Sequence, residues 1–282
     1  MSIHNIKPRR MDFQFDGEVD RDWLANNPFL THFFTGFAAQ FPEGERFMID
    51  AVKHYRNQLD KQSNLSREVA GFIGQEAHHA YAHDQLNDFL AGQGAPTVAI
   101  DKQTKFAIKV IKKICGPKAQ LAMTAGLEHF TSMFGTAVLR NPEIAESVHP
   151  MIRPMFVWHA IEEVEHNTVA YDVYQQLDGS YVRRIAMYLV STVLLMTFIL
   201  LSQLRLAIND PRALAPKSIF GGIKWMFGFG KNSGYIRRMT PEFLQYFKPS
   251  FHPANDEKQE MLETWREEMA SLEARFLYKR TA

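Results

Sequence analysis

The stretch Val157-Trp158-His159-Ala160-Ile161-Glu162-Glu163-Val164-Glu165-His166-Asn167 decides how the chain is read. On a helix it puts His159, Glu163 and His166 at i, i+4 and i+7, one face over two turns. Glu162 lies at the edge of that face, four residues before His166. The face continues through Ala170, Val173 and Leu177, all apolar. Ionisable groups framed by apolar neighbours point into a core, where charge is costly unless paired or bound to metal. One such helix is weak evidence alone, because a histidine on an apolar face is more often a hydrogen-bonded core residue than a ligand.

The pattern recurs upstream. Phe41-Pro42-Glu43-Gly44-Glu45 opens a helix, with Pro42 suited to its first turn. Phe41, Glu45, Met48, Ile49, Val52 and Tyr55 share its apolar face, so Glu45 is an acid inside the stripe. A second helix is expected from about Ser66 to Leu90, with Val69, Phe72, Ile73, Glu76, His79, Ala80, His83, Leu86 and Leu90 inward. Glu76 and His79 form a Glu-x-x-His pair on that stripe. His83, one turn on, reads as a structural histidine, with support of a neighbouring ligand as the alternative, and His78 points elsewhere. A weaker helix reaches Ile114. Gly116-Pro117 then starts another, with Leu121, Thr124, Glu128, Thr131, Gly135 and Val138 on one face; His129 lies outside it. Pro154 starts the helix quoted first. The order is therefore Glu, Glu-x-x-His, Glu, Glu-x-x-His, with 31 residues from Glu45 to Glu76 and 35 from Glu128 to Glu163. Each gap suits two antiparallel helices and a connection, which brings the acids to similar depth.

Four inward acids would repel one another, and several would have to take up protons unless cations lay between them. Carboxylates can bridge two ions, and imidazole adds a neutral donor that suits iron. Glu45, Glu76, His79, Glu128, Glu163 and His166 are the candidate metal ligands, and His159, one turn before Glu163, can add another. Glu162 is placed to orient His166 or a neighbouring ligand. Thr131, one turn after Glu128, is a candidate for delivering protons.

The rest of the chain bounds the class. With 282 residues, 46% of them hydrophobic and 22% charged, it can bury a sizeable core. A net charge of +1 argues against nucleic acid as a partner. The single Cys115 excludes an internal disulfide and multi-cysteine metal sites, and fits a reducing compartment. Met1 to Asp20 has early charges and no signal-peptide core, so the expected location is the cytoplasm or the cytoplasmic side of a membrane. Between Arg184 and Arg205, Ile185 to Leu204 carry no charge. That length suits a membrane span, a core helix or a homodimer seam. Lys217, Lys224, Trp225, Phe227, Phe229 and Lys231 add a basic and aromatic mix suited to a membrane interface. Residues 206–255 read as loop with short helices, then a final amphipathic helix that Asp256 can cap.

The ligand order resembles the ferritin-like di-iron or di-manganese carboxylate proteins over residues 41–178. The resemblance implies an all-α fold: a ferritin-like four-helix bundle over 41–180, preceded by a lead-in over 1–40. A tail over 181–282 adds a long hydrophobic helix and a C-terminal amphipathic helix. The His159-x-x-x-Glu163-x-x-His166 run is similar to the p-aminobenzoate N-oxygenase branch, in which an extra histidine of this kind ligates one iron. The chain also has the look of a bacterial family labelled predicted metal-dependent hydrolases. The first resemblance implies two iron ions, or manganese or a mixed Mn/Fe pair, in an O₂-dependent oxygenase or oxidase. Its expected substrate is an amine or an apolar small molecule, and it needs an electron donor. The alternatives are a dinuclear hydrolase, with zinc as the expected metal, and a non-catalytic metal-binding protein.

Overall fold

The computed structural model describes residues 6–230, 233–254 and 256–279, and it is all-α. In chain order the helices are α1 (Pro28–Ala38), α2 (Phe41–Lys53), α3 (Asn64–Gly92), α4 (Thr97–Ile114), α5 (Pro117–Arg140), α6 (Pro142–Glu146) and α7 (Arg153–Glu165). Then follow α8 (Val169–Leu177), α9 (Tyr181–Asn209), α10 (Pro216–Phe227), α11 (Tyr235–Arg238), α12 (Thr240–Gln245), α13 (Asp256–Thr264) and α14 (Arg266–Phe276). Local chemistry sets many of the starts. The Asn27, Ser63 and Ser180 side chains each accept a first-turn N–H, and proline occupies the first turn of α1, α2 and α5.

The helices carrying the inward acids pack on one another. Helix α2 lies on α3, α5 lies on α7 and α8, and cross contacts join α2 to α5 and α3 to both α7 and α8. Their apolar faces make one core around Phe47, Val52, Val69, Phe72, Leu121, Val169 and Val173. A second core joins Met11, Phe13 and Trp23 of the lead-in to Leu86 of α3, Trp158 of α7 and Leu272 of α14. The lead-in and the residue after α14 also meet there, through a bridge between Met11 and Leu277.

The helix quoted first is not continuous. Helix α7 ends at Glu165, His166 follows with φ −104° and ψ 8°, and α8 begins at Val169. Asn167 and Thr168, both weak helix formers, occupy the turn. The Asn167 amide donates to Ser132 Oγ at 3.4 Å, and the Val169 N–H bonds back to the His166 carbonyl at 3.0 Å. Ala170 and Val173 remain fully buried beyond the break. The expected C-terminal helix is likewise two, α13 and α14, hinged at Trp265. Met261, Leu262, Trp265, Met269, Leu272 and Phe276 all face the core as expected. The proposed cap, the Asp256 side chain, and Lys231 lie outside the described residues.

Helix α9 extends past the uncharged stretch at both ends. It lays one side along α5 and α1 and leaves the other exposed. The segment after α12 straps over its start. Arg184 donates to the Lys248 carbonyl at 2.7 Å, Tyr181 to the Phe247 carbonyl at 2.7 Å, and Tyr171 to that of Phe251.

Gly135 lets α5 and α7 approach closely beside the acids: a Cβ there would stand 2.7 Å from the Ala160 carbonyl oxygen. Gly135→Val should therefore force α5 and α7 apart, at a cost of roughly 1–3 kcal/mol as an overpacked contact. The check is the melting midpoint, expected to fall, together with the metal content of the purified variant. A midpoint equal to the parent's would show that this contact gives way freely.

Candidate metal centre

The side chains of Glu45, Glu76, His79, Glu128, Glu163 and His166 converge in the interior, all at most 4% exposed. His166 Nε2 lies 3.2 Å from Glu76 Oε1, 3.3 Å from Glu128 Oε2 and 3.5 Å from Glu163 Oε2. His79 Nδ1 lies 3.2 Å from Glu76 Oε1 and 3.6 Å from Glu163 Oε1. His159 Nε2 lies 2.7 Å from Glu163 Oε1 and 3.7 Å from Glu45 Oε1. Four sets can each offer three ligand atoms within 4.8 Å of one another: Glu45, His83 and His159; His79, His159 and Glu163; Glu45, Glu76 and His79; Glu76, Glu128 and His166. Glu45, Glu76, His79 and His159 each recur in two of these sets, so the four sets form one connected cluster, and Glu76 links the set with Glu128 and His166 to the rest.

The donor set fits metal on a further observation. Both oxygens of Glu45 and of Glu128, Oε2 of Glu76, Oε2 of Glu163 and Nε2 of His166 are buried without a hydrogen-bond partner. Orphaned carboxylate oxygens are costly in a dry interior, and a cation among them removes that cost.

Protons do part of the same work. Burial pushes the Glu45 carboxyl well above its usual range, and the Glu76 charge pushes it further. Burial and the Glu76 charge likewise raise Glu128 to about 8. Burial also opposes charge on Glu76 and Glu163, but the imidazoles facing them outweigh it and keep both low: His166 and His79 for Glu76, and His159 and His166 for Glu163. His79 is pulled down by burial and lifted more strongly by Glu162 and Glu76, to about 10. His166 rises well above the imidazole range through Glu128, Glu163 and Glu76, against burial.

Around this cluster lies a layer of which the sequence pointed only to Glu162. Arg9, from the lead-in, donates to Glu162 Oε1 at 2.8 Å and to both oxygens of Glu165 at 2.7 and 3.0 Å. Glu162 Oε2 in turn lies 3.0 Å from His79 Nε2, on the ring nitrogen opposite the acids. Glu165 accepts from Gln75 Nε2 at 2.9 Å, and Gln75 Oε1 lies 2.9 Å from His166 Nδ1. One guanidinium thus reaches both histidines through one or two intermediates, and Glu162 orients His79 rather than His166. His83, read from sequence as structural, also belongs here. Its ring stacks on Phe41 at 4.5 Å, and its Nε2 lies 3.0 Å from His159 Nδ1 and 4.0 Å from Glu45 Oε1. Its position one turn after His79 was the signal available. His129 stays outside, against the Glu242 carbonyl.

Two apolar pockets open onto the cluster. The first, of about 580 Å³ and partly open to solvent, runs between Phe34, Phe37, Phe41, Phe134 and Phe156 and reaches His159 and Glu163. The second, of about 400 Å³, reaches Glu45 past Met48, Phe130 and Leu195. Thr131 lines both, and its hydroxyl donates to the Glu128 carbonyl at 3.1 Å.

Two expectations follow. Outside the fold a glutamate titrates near 4.5 and a histidine near 6.5, whereas Glu128 and His79 hold their protons to about 8 and 10. A group with a raised folded value stabilises below its unfolded value, and that stability is lost as pH rises through the folded one. The metal-free protein should therefore lose stability as pH rises from about 6.5 to 10. Divalent metal should flatten this slope and release protons on binding, because it takes the same ligands. Melting curves across that range, with and without metal, and an indicator dye during titration check both signs. Separately, Arg9→Met should strand the buried Glu162 charge. The expected loss is about 3 kcal/mol, the lower end for breaking a buried pair, with weaker metal retention in a dialysis assay. Unchanged retention would make Arg9 a structural strut alone.

Neither a curated protein nor a solved structure matches the chain. A family does. The sequence from residue 7 to residue 257 matches the family described as "Predicted metal-dependent hydrolase", and the chain belongs to that family.

Proposed function

We propose that this chain is a metal-dependent enzyme whose buried cluster holds two divalent ions and acts on an apolar small molecule by hydrolysis. The observation that carries the reading is the set of buried, partnerless carboxylate oxygens facing histidine nitrogens at the floor of an aromatic pocket. Glu45 and His159, with His83 beside them, would hold one ion; Glu128 and His166 would hold the other. Glu76 and Glu163 lie between these halves, and His79 stands against both acids. When bound, the ions would supply Lewis acidity and a water of lowered pKa. The protein's own part is to hold the ligands in place through Arg9, Glu162 and Gln75. Phe34, Phe37, Phe41 and Phe134 bind the apolar body of the substrate and limit bulk water. Thr131 is positioned between the two pockets to pass a proton.

A second reading rests on a different observation. The His159, Glu163 and His166 run forms one constellation with the three other acids, and the pockets beside it are almost wholly apolar. That combination suits O₂-dependent oxidation by an iron pair, or a manganese or mixed pair, with an electron donor. The metal differs between the readings, with zinc or manganese sufficient for hydrolysis.

The test begins with metal-stripped protein reloaded with zinc, manganese or, anaerobically, Fe(II). Activity is measured on nitrophenyl esters of increasing acyl length, and O₂ uptake is followed in parallel. Hydrolysis predicts turnover without O₂, and kcat/KM rising by up to about fourfold per added methylene as the pocket buries it. No turnover on any ester, with O₂ consumed only by the iron-loaded protein, would overturn hydrolysis in favour of oxidation. Two bound ions with neither behaviour would leave a non-catalytic metal site.

A further inference from the structure

Helix α9 is 29 residues long, with a mean hydropathy of 2.2 over its most apolar window and only 22% of that window buried. Its two sides differ. Arg184, Tyr188, Ser191, Ser202 and Gln203 are buried against the rest of the protein. On the opposite side Leu189, Val190, Val193, Leu200, Leu204 and Ile208 are exposed, Leu200 by 60% and Ile208 by 81%. At 1.5 Å per residue the helix is about 43 Å long. Helix α10, which like α9 packs on α1, exposes Phe220, Ile223 and Phe227 at i, i+3 and i+7. A patch of this extent on a soluble protein is an interaction site.

The charges around it choose the occupant. From residue 181 to 229 the sequence has six basic residues and one acid, but Arg184 is buried and Arg183 is paired with Asp178 just before that range. The acid, Asp210, is bonded to Arg212. Arg205, Lys217 and Lys224 are exposed beside the apolar stripes. A twofold contact between two copies would set this basic rim against itself, which is unfavourable. Anionic lipid headgroups complement it, while the apolar stripes enter the acyl region. A span ringed by lipid is ill-suited, because the buried side of α9, where Arg184, Ser191, Ser202 and Gln203 lie beside Ile199, Leu206 and Ala207, is already packed on the protein.

We propose that α9 and α10 form an in-plane docking surface for an anionic bilayer, entering one leaflet without crossing it. This holds whether or not the metal centre is catalytic. Leu195 of the same helix lines the pocket above Glu45, so the docked face adjoins an entrance to the cluster.

The experiment is flotation of the full chain with vesicles of phosphatidylcholine alone, or with a third phosphatidylglycerol. The protein should float with the anionic vesicles and at least tenfold less with the neutral ones, and 0.5 M salt should weaken binding. Leu200→Glu with Leu204→Glu should abolish flotation while helicity and metal content stay at the parent's level. Lys217→Ala with Lys224→Ala, which leaves the apolar stripe intact, should reduce it several-fold at low salt. Parent protein that stays below both vesicle types overturns the proposal. So does a parent dimer that the leucine variants convert to monomer without any vesicle binding, which would assign the face to a second copy. Resistance of bound protein to alkaline extraction would overturn the in-plane arrangement in favour of a span.

Discussion

The structure depends on charge balance in a dry place. Four glutamates from separate helices meet with almost no access to water, and their mutual repulsion has to be offset locally. Two of them, Glu45 and Glu128, do so by holding protons beyond the usual range. The other two stay ionised because His79, His159 and His166 lie against them. Protons and cations are thus interchangeable occupants of one space. The metal-free fold is not an empty cage waiting to collapse, since protonated His79 and His166 supply positive charge where ions would otherwise lie. Loading the site with metal would then be a proton exchange.

That balance reaches to the ends of the chain. Arg9 is the fixed positive charge behind the histidines. It is held not only by Glu162 and Glu165 but also by Glu273 of α14, at 2.6 Å. The lead-in lies tightly over α3, where a Cβ on Gly71 or Gly74 would collide with Ile6 or Pro8. Sequence far from the ligands therefore decides how firmly His79 and His166 are aimed. The lead-in is part of the centre's support.

Most of the cluster was legible because a helix repeats its face every three or four residues. Glu76 with His79, and Glu163 with His166, could be placed on buried stripes from spacing alone. What escaped was of two kinds. Arg9 and Glu162 are 153 positions apart, and no periodicity connects an extended lead-in to a helix. The turn at 166–168 and the hinge at Trp265 contain neither proline nor glycine, so nothing local announced them; tertiary contacts such as Asn167 to Ser132 set the first. His83 stayed open between two readings for a subtler reason. A histidine one turn beyond a ligand looks the same in sequence whether it stacks on a phenylalanine or joins the cluster, and here it does both.

The pockets constrain the chemistry more than the ligands do. Ligand sets of carboxylate and imidazole serve both hydrolysis and oxidation, so they do not separate the two. The walls bear on the question differently. A hydrolase must admit water to its ions while keeping the substrate's apolar body bound, which calls for a polar path. The polar atoms near the first pocket are confined to His83, Thr131, His159 and Glu163, all at its floor. Phe37, Phe41 and Thr131 line both pockets and so form the partition between them. Water entering by one and substrate by the other would meet only at that partition, within reach of Glu45 on one side and Glu163 on the other. The rings of Phe37 and Phe41, 4.8 Å apart, stand in the walls of both pockets. Under either reading of the chemistry, aromatic packing around α1 and α2 shapes the approach to the ligands.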